Sequence, residues 1–170
     1  MSTDATLEAR LRAVEDRLAI YQIIASHPPA ADTGDPDYYR SLFVADATLD
    51  LGGGKGAKGA AIGALVEAPE HKAAIAGGLC HFPGLPRVTI DGDRAVATSY
   101  LQIITPNRDA APVEVPGHGA TPGFRIHRCG ANRWEFARGK DGWKIVKRTL
   151  RPLDGSAEAR ELLQSATAQS

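Results

Sequence analysis

Two residues that could carry proton-transfer chemistry stand at boundaries between segments of the sequence. Asp32 lies in "AADTGD", just past a predicted helix, and His81 lies in "LCHFPGLPRVTI", where a β-rich region begins. A carboxylate that accepts a hydrogen bond from one imidazole nitrogen fixes the ring tautomer and leaves the other nitrogen as a base. The unperturbed pKa of histidine is about 6.5, so this base takes protons near neutral pH. Taken singly, Asp32 is typical of a turn or cap, and His81 is equally typical of a core histidine.

Other polar and aromatic residues are weaker candidates for a site. His27 ends the first predicted helix, where an imidazolium would suit the helix dipole, and a cap is the simpler interpretation. Trp134, Phe136 and Arg138 occupy alternate positions of one predicted strand, so their side chains point to the same face of the sheet. Trp134 is typical of a core residue, and Arg138 is equally compatible with a place in solvent.

The segment "DLGGGKGAKGAAIG" contains Gly54, Gly56 and Gly59, which spell the G-x-G-x-x-G of dinucleotide-binding loops. That motif needs a parallel βαβ unit and an acidic residue about 20 positions further on. Residues 72–85 contain no acid, and the segment after the predicted helix does not have the pattern of a buried parallel strand. The glycines are therefore interpreted as turn residues, and no nucleotide cofactor is predicted.

The composition favours one soluble domain spanning residues 1–170. Twenty basic residues balance twenty acidic ones, so charge gives no reason to expect nucleic acid or a membrane as a partner. The charged N-terminal segment lacks the apolar core of a secretory signal, and no long apolar run exists, which predicts a cytoplasmic protein. The two cysteines, Cys80 and Cys129, lack metal-site spacing and are predicted to be buried thiols, so no metal is expected.

The first predicted helix spans residues 5–27. Apolar residues recur in it at spacings of four and three, which indicates an amphipathic helix with a charged wet side. The helix should end at Pro28 and Pro29, because proline has no amide hydrogen and disfavours a helical residue before it. The apolar positions are Leu7, Leu11, Val14, Leu18 and Tyr21.

Three shorter helices are predicted further along the chain. Asp35 can cap a helix that begins at Pro36, since aspartate is favoured as a cap and proline at the first helical position. An alanine-rich helix is predicted for residues 60–76, after a short strand "ATLDL", and a last helix for about 157–163.

After residue 80 the pattern changes to β-rich runs joined by turn residues. Residues 107–123 form a long Pro/Gly-rich segment that contains His118 and is typical of a lid or binding loop. Helices first and strands later predict an α+β fold. The β-rich runs are "LPRVTI", "RAVATSYLQIIT", "FRIHRC", "RWEFAR" and "WKIVKRTL".

As an ordered set, four segments resemble the SnoaL-like branch of the NTF2-like superfamily. They are "LEARLRAVEDRLAIYQIIA", "ADTGDPDYYRSLFVADATLDLGGG", "HFPGLPRVTIDGDRAVATSYL" and "RWEFARGKDGWKIVKRTLRPLDGS". The family includes polyketide cyclases, scytalone dehydratase, bile-acid dehydratase, hexachlorocyclohexane dehydrochlorinase and ketosteroid isomerase. The resemblance implies a cone-like, curved antiparallel β-sheet wrapped by the N-terminal helices.

The resemblance also implies a site. Dehydratases of the family use an Asp–His pair whose Asp follows the first helix and whose His begins the sheet, which makes Asp32 and His81 the expected catalytic pair. Five residues before that Asp, relatives often carry a Tyr or Lys that contacts substrate, and His27 stands there instead. His27 and Arg138 are expected to bind or polarise substrate oxygens. His118 cannot be aligned with the second sheet histidine of scytalone dehydratase.

The implied function is a cofactor-independent lyase that acts by elimination, dehydration or related C–C cleavage on a small hydrophobic, cyclic or aromatic substrate. An isomerase or cyclase with the same pair, a non-catalytic ligand-binding module, and the small subunit of a ring-hydroxylating oxygenase remain open. Relatives pack the outer sheet face against another copy, which implies a homo-oligomer, either dimer or trimer. The predicted walls of a mostly apolar pocket in the cone are Phe43, Leu51, Tyr100, Trp134 and Phe136.

Overall fold

The computed structural model describes residues 6–165, and its elements confirm an α+β fold. The start of the first helix, predicted at residue 5, lies outside the described residues. The helices are α1 (Leu7–Asp32), α2 (Pro36–Ser41), α3 (Ala61–Glu67), α4 (Pro69–Ala76) and α5 (Ala157–Gln164). The strands are β1 (Phe43–Gly52), β2 (Lys55–Lys58), β3 (Cys80–Pro83), β4 (Arg87–Asp91), β5 (Arg94–Pro106), β6 (Val113–Val115), β7 (Gly119–Thr121), β8 (Phe124–Gly139) and β9 (Gly142–Pro152).

Helix α1 continues through Pro28 and Pro29, so the prediction that the prolines end it is wrong. Each proline removes one amide donor from the helix ladder. The turn beyond them still closes, because the amide of Thr33 donates to the carbonyl of Pro29 at 3.0 Å. Asp32 is therefore the last helical residue rather than a residue of a separate turn.

The first half of α1 is amphipathic, but its apolar side does not pack into the core. The carboxylate of Asp16 accepts hydrogen bonds from Arg138 and Trp143, and this anchor turns the opposite side of the helix to solvent. Burial of apolar residues in α1 begins only at Ile20 and continues at Ile24. The exposed apolar residues are Leu7 (77%), Leu11 (55%), Val14 (55%) and Leu18 (59%).

The next helices follow from their caps and prolines. Asp35 caps α2 as predicted, since its Oδ1 accepts two backbone amides of the first turn, each at 3.0 Å. The single helix predicted for residues 60–76 is instead α3 followed by α4. Pro69 causes the break, because the residue before a proline avoids the helical region, and Ala68 has ψ 135°.

The glycine-rich segment forms β2 and the tight turn that joins it to β1. Gly53 and Gly54 occupy that turn with φ of 58° and 74°, a region that favours glycine. Gly56 lies so close to β1 that a Cβ there would be 2.2 Å from the carbonyl oxygen of Leu49. Gly54 is therefore a turn residue, as predicted, and close strand pairing explains Gly56.

The main sheet is curved and unclosed, with strand order β2-β1-β9-β8-β5-β3 and with β4 also paired to β5. The two runs predicted at 124–129 and 133–138 form one strand, β8, because residues 130–132 pair with both β5 and β9. One pairing departs from the antiparallel prediction, since β1 and β9 are parallel. Parallel neighbours need a long crossover, and the whole chain between β1 and β9 supplies it.

The segment 107–123 contains the short hairpin β6–β7 rather than an irregular loop. His118 lies in the turn of this hairpin, where its amide donates to the carbonyl of Val115 at 2.8 Å and its side chain is exposed. The histidine is thus part of an exposed turn. Over residues 6–165, none of the helices is long and apolar enough to cross a membrane.

The two cysteines are free thiols. Both are half-buried, so the prediction of buried thiols is wrong. The reason is their parity: Cys80 precedes the inward-facing His81, and side chains alternate between the faces of a strand. Cys129, on β8, is the register partner of Gln102 on β5, and both lie on the outer face of the sheet.

Candidate active site

The C-terminal end of α1 lies against β3 and brings Asp32 to His81. Oδ1 of Asp32 lies 2.6 Å from Nδ1 of the His81 ring, and Oδ2 accepts the backbone amide of His81 at 2.9 Å. An ionised carboxylate only accepts, so Nδ1 carries the hydrogen. Nε2 has no hydrogen-bond partner among residues 6–165, which leaves it available as a base. The His81 and Asp32 side chains keep 14% and 23% exposure, so the pair is partly open to solvent.

A second histidine, His71 on α4, supports this pair. Its ring stacks on the ring of His81 with the centroids 6.2 Å apart. Its Nε2 lies 2.7 Å from the carbonyl oxygen of Ala31, and it donates there because a carbonyl only accepts. His71 thereby ties α4 to the end of α1, although no motif in "PEHKAAIA" marks it. Within residues 6–165, no group of three or more His, Cys, Asp or Glu side chains could hold a metal ion.

Behind the pair, His27 lies in a buried polar cluster. Its Nε2 lies 3.0 Å from the hydroxyl of Tyr39 and 3.0 Å from Nη1 of Arg148. The guanidinium donates, so Nε2 accepts and the ring is neutral. Burial lowers the pKa of His27 well below its usual value, and the charges of Arg148 and His81 lower it further. The predicted substrate contact, His27, is thus engaged with two neighbours inside the fold.

Arg148 is the main site residue that the sequence pattern did not identify. It is 4% exposed, and it has no carboxylate partner within the described part of the chain. Its Nε donates to Oδ1 of Asn132 at 3.0 Å, and its guanidinium lies 4.8 Å from the ring centroid of Trp134. Burial lowers the pKa of Arg148, yet an arginine stays protonated in proteins.

The amide of Asn132 adds an unused donor to this buried cation. Asn132 is 0% exposed, and its Nδ2 has no hydrogen-bond partner within residues 6–165. Buried charges and buried donors are normally paired. A cation and a free N–H donor at one place therefore favour a negatively charged or carbonyl oxygen as their missing partner.

A β-bulge explains why Arg148 faces the interior. The register of β9 against β8 shifts at Val146, which is an extra residue on β9. Alternation counted from Ile145 would place Lys147 on the inner face and Arg148 on the outer face. The bulge reverses this order, and Arg148 pairs with Trp134 on the inner face.

Four of the five predicted wall residues lie on the inner side. Trp134 and Phe136 are buried on β8, and Phe43 is buried at the start of β1. The Phe43 ring centroid lies 6.5 Å from that of His27. Leu51 is half-buried and packs against the core. Of these, Phe43 and Trp134 lie against the ring of His27 and give the polar cluster apolar surroundings.

Tyr100, the fifth predicted wall residue, lies on the outer face. It follows Ser99, whose hydroxyl accepts the indole N–H of Trp134 at 3.1 Å on the inner side. Successive side chains of a strand alternate between faces, so Tyr100 points outward, where it is 56% exposed. The prediction of Tyr100 as an interior wall residue is therefore wrong.

Arg138 also requires correction. It shares the inner parity of Trp134 but lies four residues further along β8, roughly 13 Å away. Its Nη2 lies 2.7 Å from Asp16, and its guanidinium lies 4.8 Å from the ring centroid of Trp143. Arg138 anchors α1 to the β8–β9 hairpin, and Arg148 is the arginine of the buried cluster.

Comparisons with known proteins agree with this architecture. The family described as "SnoaL-like domain" matches residues 12–149. An NTF2-like protein with a cystatin-like fold from Novosphingobium aromaticivorans is 38% identical, with a TM-score of 0.82 over 96% of this chain and 99% of that chain. None of the curated proteins matches at a significant level.

Two further solved structures from the same organism are similar. A "putative aromatic ring hydroxylase" is 26% identical, with a TM-score of 0.59 over 82% of this chain and 90% of that chain. A "putative scytalone dehydratase" is 18% identical, with a TM-score of 0.59 over 83% of this chain and 85% of that chain. At 18% identity the likeness concerns the fold.

Proposed function

This chain belongs to the SnoaL-like domain family and has an NTF2-like fold, and from that premise we propose that it is a cofactor-independent lyase. The substrate is a small hydrophobic, cyclic or aromatic compound, and the reaction is elimination, dehydration or a related C–C cleavage. One observation carries the proposal: the 2.6 Å contact between Asp32 and Nδ1 of His81. That contact leaves Nε2 of His81 as a positioned base.

The proposed reaction begins when Nε2 of His81 takes a proton from the carbon next to the one that bears a hydroxyl. The electron pair of the broken C–H bond becomes the new C=C bond, and the C–O bond breaks. The hydroxyl leaves as water with the proton that the imidazolium returns, so the base is regenerated. Asp32 stabilises the imidazolium formed on the way. Positioned proton transfer of this kind is worth on the order of 10²–10⁴-fold in rate.

Arg148 and Asn132 supply the second half of the proposed mechanism. Removal of a proton beside a carbonyl places negative charge on the carbonyl oxygen. Donors that are already positioned in a buried site stabilise such charge strongly, because they need no reorganisation. The buried guanidinium of Arg148 and the unused Nδ2 of Asn132 suit this task. His27 holds the guanidinium by accepting from it at 3.0 Å.

The relatives give modest additional support for this class of reaction. One solved structure is named for scytalone dehydration and one for aromatic ring hydroxylation. We take from these names only a cyclic substrate for this chain.

An isomerase or cyclase with the same pair is the main competing function. In that case His81 would return the proton to a carbon, and the product would keep the mass of the substrate. A binding module or an oxygenase small subunit would give no product at all. Product mass therefore separates these functions.

The experiment is a screen of cyclic β-hydroxy ketones and aromatic alcohols, with product mass as the readout. We expect a product lighter than its substrate by one water, formed without added metal or nucleotide. The variant His81→Ala should form it more slowly by on the order of 10²–10⁴-fold, whereas His118→Ala, changed in the exposed β6–β7 turn, should form it at the normal rate. A product of unchanged mass, or saturable binding without any product, would refute the lyase.

A further inference from the structure

The exposed apolar residues of α1 form one continuous stripe. Leu7, Leu11, Val14 and Leu18 follow one another at spacings of four, three and four, which are the d and a positions of a heptad. Each is at least 55% exposed, and a contiguous exposed apolar patch marks an interaction site. We propose that this stripe, termed the α1 seam, packs in parallel against the same seam of a second copy of the chain.

The domain holds α1 by the side opposite the seam. Asp16 occupies the f position of the same heptad, across the helix from positions a and d. Its carboxylate accepts from Arg138 at 2.7 Å and from Trp143 at 2.9 Å. The seam consequently faces away from its own domain, and a symmetric pair keeps the two domains on opposite outer sides.

The charges beside the seam favour an identical partner in parallel orientation. Arg10 occupies position g and Glu15 position e, and neither forms an ion pair within the described residues. In a parallel pair, g faces e of the next heptad, so Arg10 faces Glu15 of the partner subunit, twice by symmetry. In an antiparallel pair g faces g and e faces e, which opposes like charges. Arg17, the next g residue, already donates to the carbonyl of Val88 in its own chain.

The seam is short, which sets the strength that we expect. Residues 7–18 cover about 17 Å of helix at ~1.5 Å per residue. Helical segments of this length are marginal by themselves, so association through the seam should depend on protein concentration. This surface is separate from the outer sheet face, which we also propose as an assembly surface.

The test measures the mass of the full chain in solution by light scattering and sedimentation over a range of concentrations. The double variant Leu11→Glu/Val14→Glu should halve the mass, from two chains to one, or from four to two if the outer sheet faces also pair. Glutamate is a good helix former, so the circular dichroism should stay unchanged. Arg12→Glu, at a b position off the seam, is the matched control and should keep the wild-type mass.

Charge exchange tests the orientation without removing any apolar residue. Arg10→Glu alone and Glu15→Arg alone should each weaken association by roughly 3- to 30-fold, since each opposes like charges in two pairs. The double variant Arg10→Glu/Glu15→Arg should restore it. An unchanged mass in the Leu11→Glu/Val14→Glu variant would overturn the seam interface. Failure of the double exchange to restore association would overturn the parallel arrangement.

Discussion

Both carboxylate oxygens of Asp32 contact the same residue, His81: Oδ1 lies 2.6 Å from the ring Nδ1, and Oδ2 lies 2.9 Å from the backbone nitrogen. The backbone contact fixes the carboxylate relative to β3, and the ring contact fixes the tautomer. The two contacts together turn Nδ1 toward Asp32 and leave Nε2 without a partner among the described residues. Proton transfer through Nε2 is the proposed consequence of this arrangement.

Exchange of Asp32 for Asn should change the tautomer of His81. An amide can present its NH₂ group to Nδ1, which then becomes an acceptor and leaves the ring hydrogen on Nε2. Nitrogen NMR of the ring near neutral pH should show Nδ1–H in the wild type and Nε2–H in Asp32→Asn. The rate of elimination should fall by on the order of 10²–10⁴. A ring that stays Nδ1–H in Asp32→Asn would contradict this account of the pair.

Substitution of Arg148 should lower activity, whereas substitution of Arg138 should lower stability. Arg148→Met leaves the buried acceptors of Asn132 and His27 without this donor, but it also ends the desolvation of a cation that has no carboxylate partner in the described chain. Because these two effects oppose each other, the free energy of unfolding should change by no more than about 1 kcal/mol. Activity should nevertheless fall sharply, mainly in kcat, because the charge acts in the transition state.

Arg138→Met is the matched comparison and should behave in the opposite way. It should keep activity and lower the free energy of unfolding by about 1 kcal/mol, since it removes a partly exposed ion pair to Asp16 and a cation–π contact to Trp143. Urea unfolding of both variants gives the change in free energy of unfolding, and steady-state kinetics give the change in activity. Full activity in Arg148→Met would remove that residue from the mechanism.

Burial of neutral His27 should make the fold sensitive to acid. In the unfolded chain this histidine has a pKa of about 6.5, whereas in the fold burial holds its pKa well below that value. Below about pH 6.5 the unfolded chain therefore binds the extra proton, and acid favours unfolding. Stability should be complete above about pH 6.5 and fall below it, by up to about 1.4 kcal/mol per pH unit.

The variant His27→Gln should lack this part of the pH dependence. Urea midpoints measured between about pH 7.5 and pH 5 give the slopes, and His118→Gln, exposed in the β6–β7 turn, should keep the wild-type slope. Equal slopes in the wild type and in His27→Gln would show that His27 does not carry the effect.

Gly56 should be far less tolerant of a side chain than Gly139. A Cβ at Gly56 would lie 2.2 Å from the carbonyl oxygen of Leu49, so β2 would have to shift. Gly56→Ala should lower the free energy of unfolding by about 1–3 kcal/mol. Gly139→Ala meets nothing within 4 Å and should stay within about 0.5 kcal/mol of the wild type. Similar losses at both positions would argue against close strand packing as the role of Gly56.

The sequence was sufficient to place Asp32 and His81 together, because family resemblance fixed one at the end of a helix and the other at the start of a sheet. It was not sufficient to identify Arg148. Strand alternation assumes an unbroken period of two, and the bulge at Val146 breaks that period. The sequence indicates Arg138 instead, which lies on the inner face of β8 but outside the buried cluster.

Two features of α1 show other limits of local patterns. Pro28 and Pro29 predict a helix end, but tertiary packing carries the helix on to Asp32. The stripe that begins at Leu7 has the period of a packed helix, yet period alone cannot tell whether the partner is the chain's own core or another surface. In this fold the first turns of α1 extend beyond the anchor at Asp16, and that anchor holds the helix by the side opposite the stripe. The stripe therefore does not pack on the chain's own core.

The initial rate of water loss from a cyclic β-hydroxy ketone, compared between the wild type and His81→Ala, tests most directly whether His81 is the base. We expect the wild type to form the unsaturated product and His81→Ala to form it more slowly by on the order of 10²–10⁴, with unchanged circular dichroism. Equal rates in the two proteins would contradict the assignment of His81 as the base.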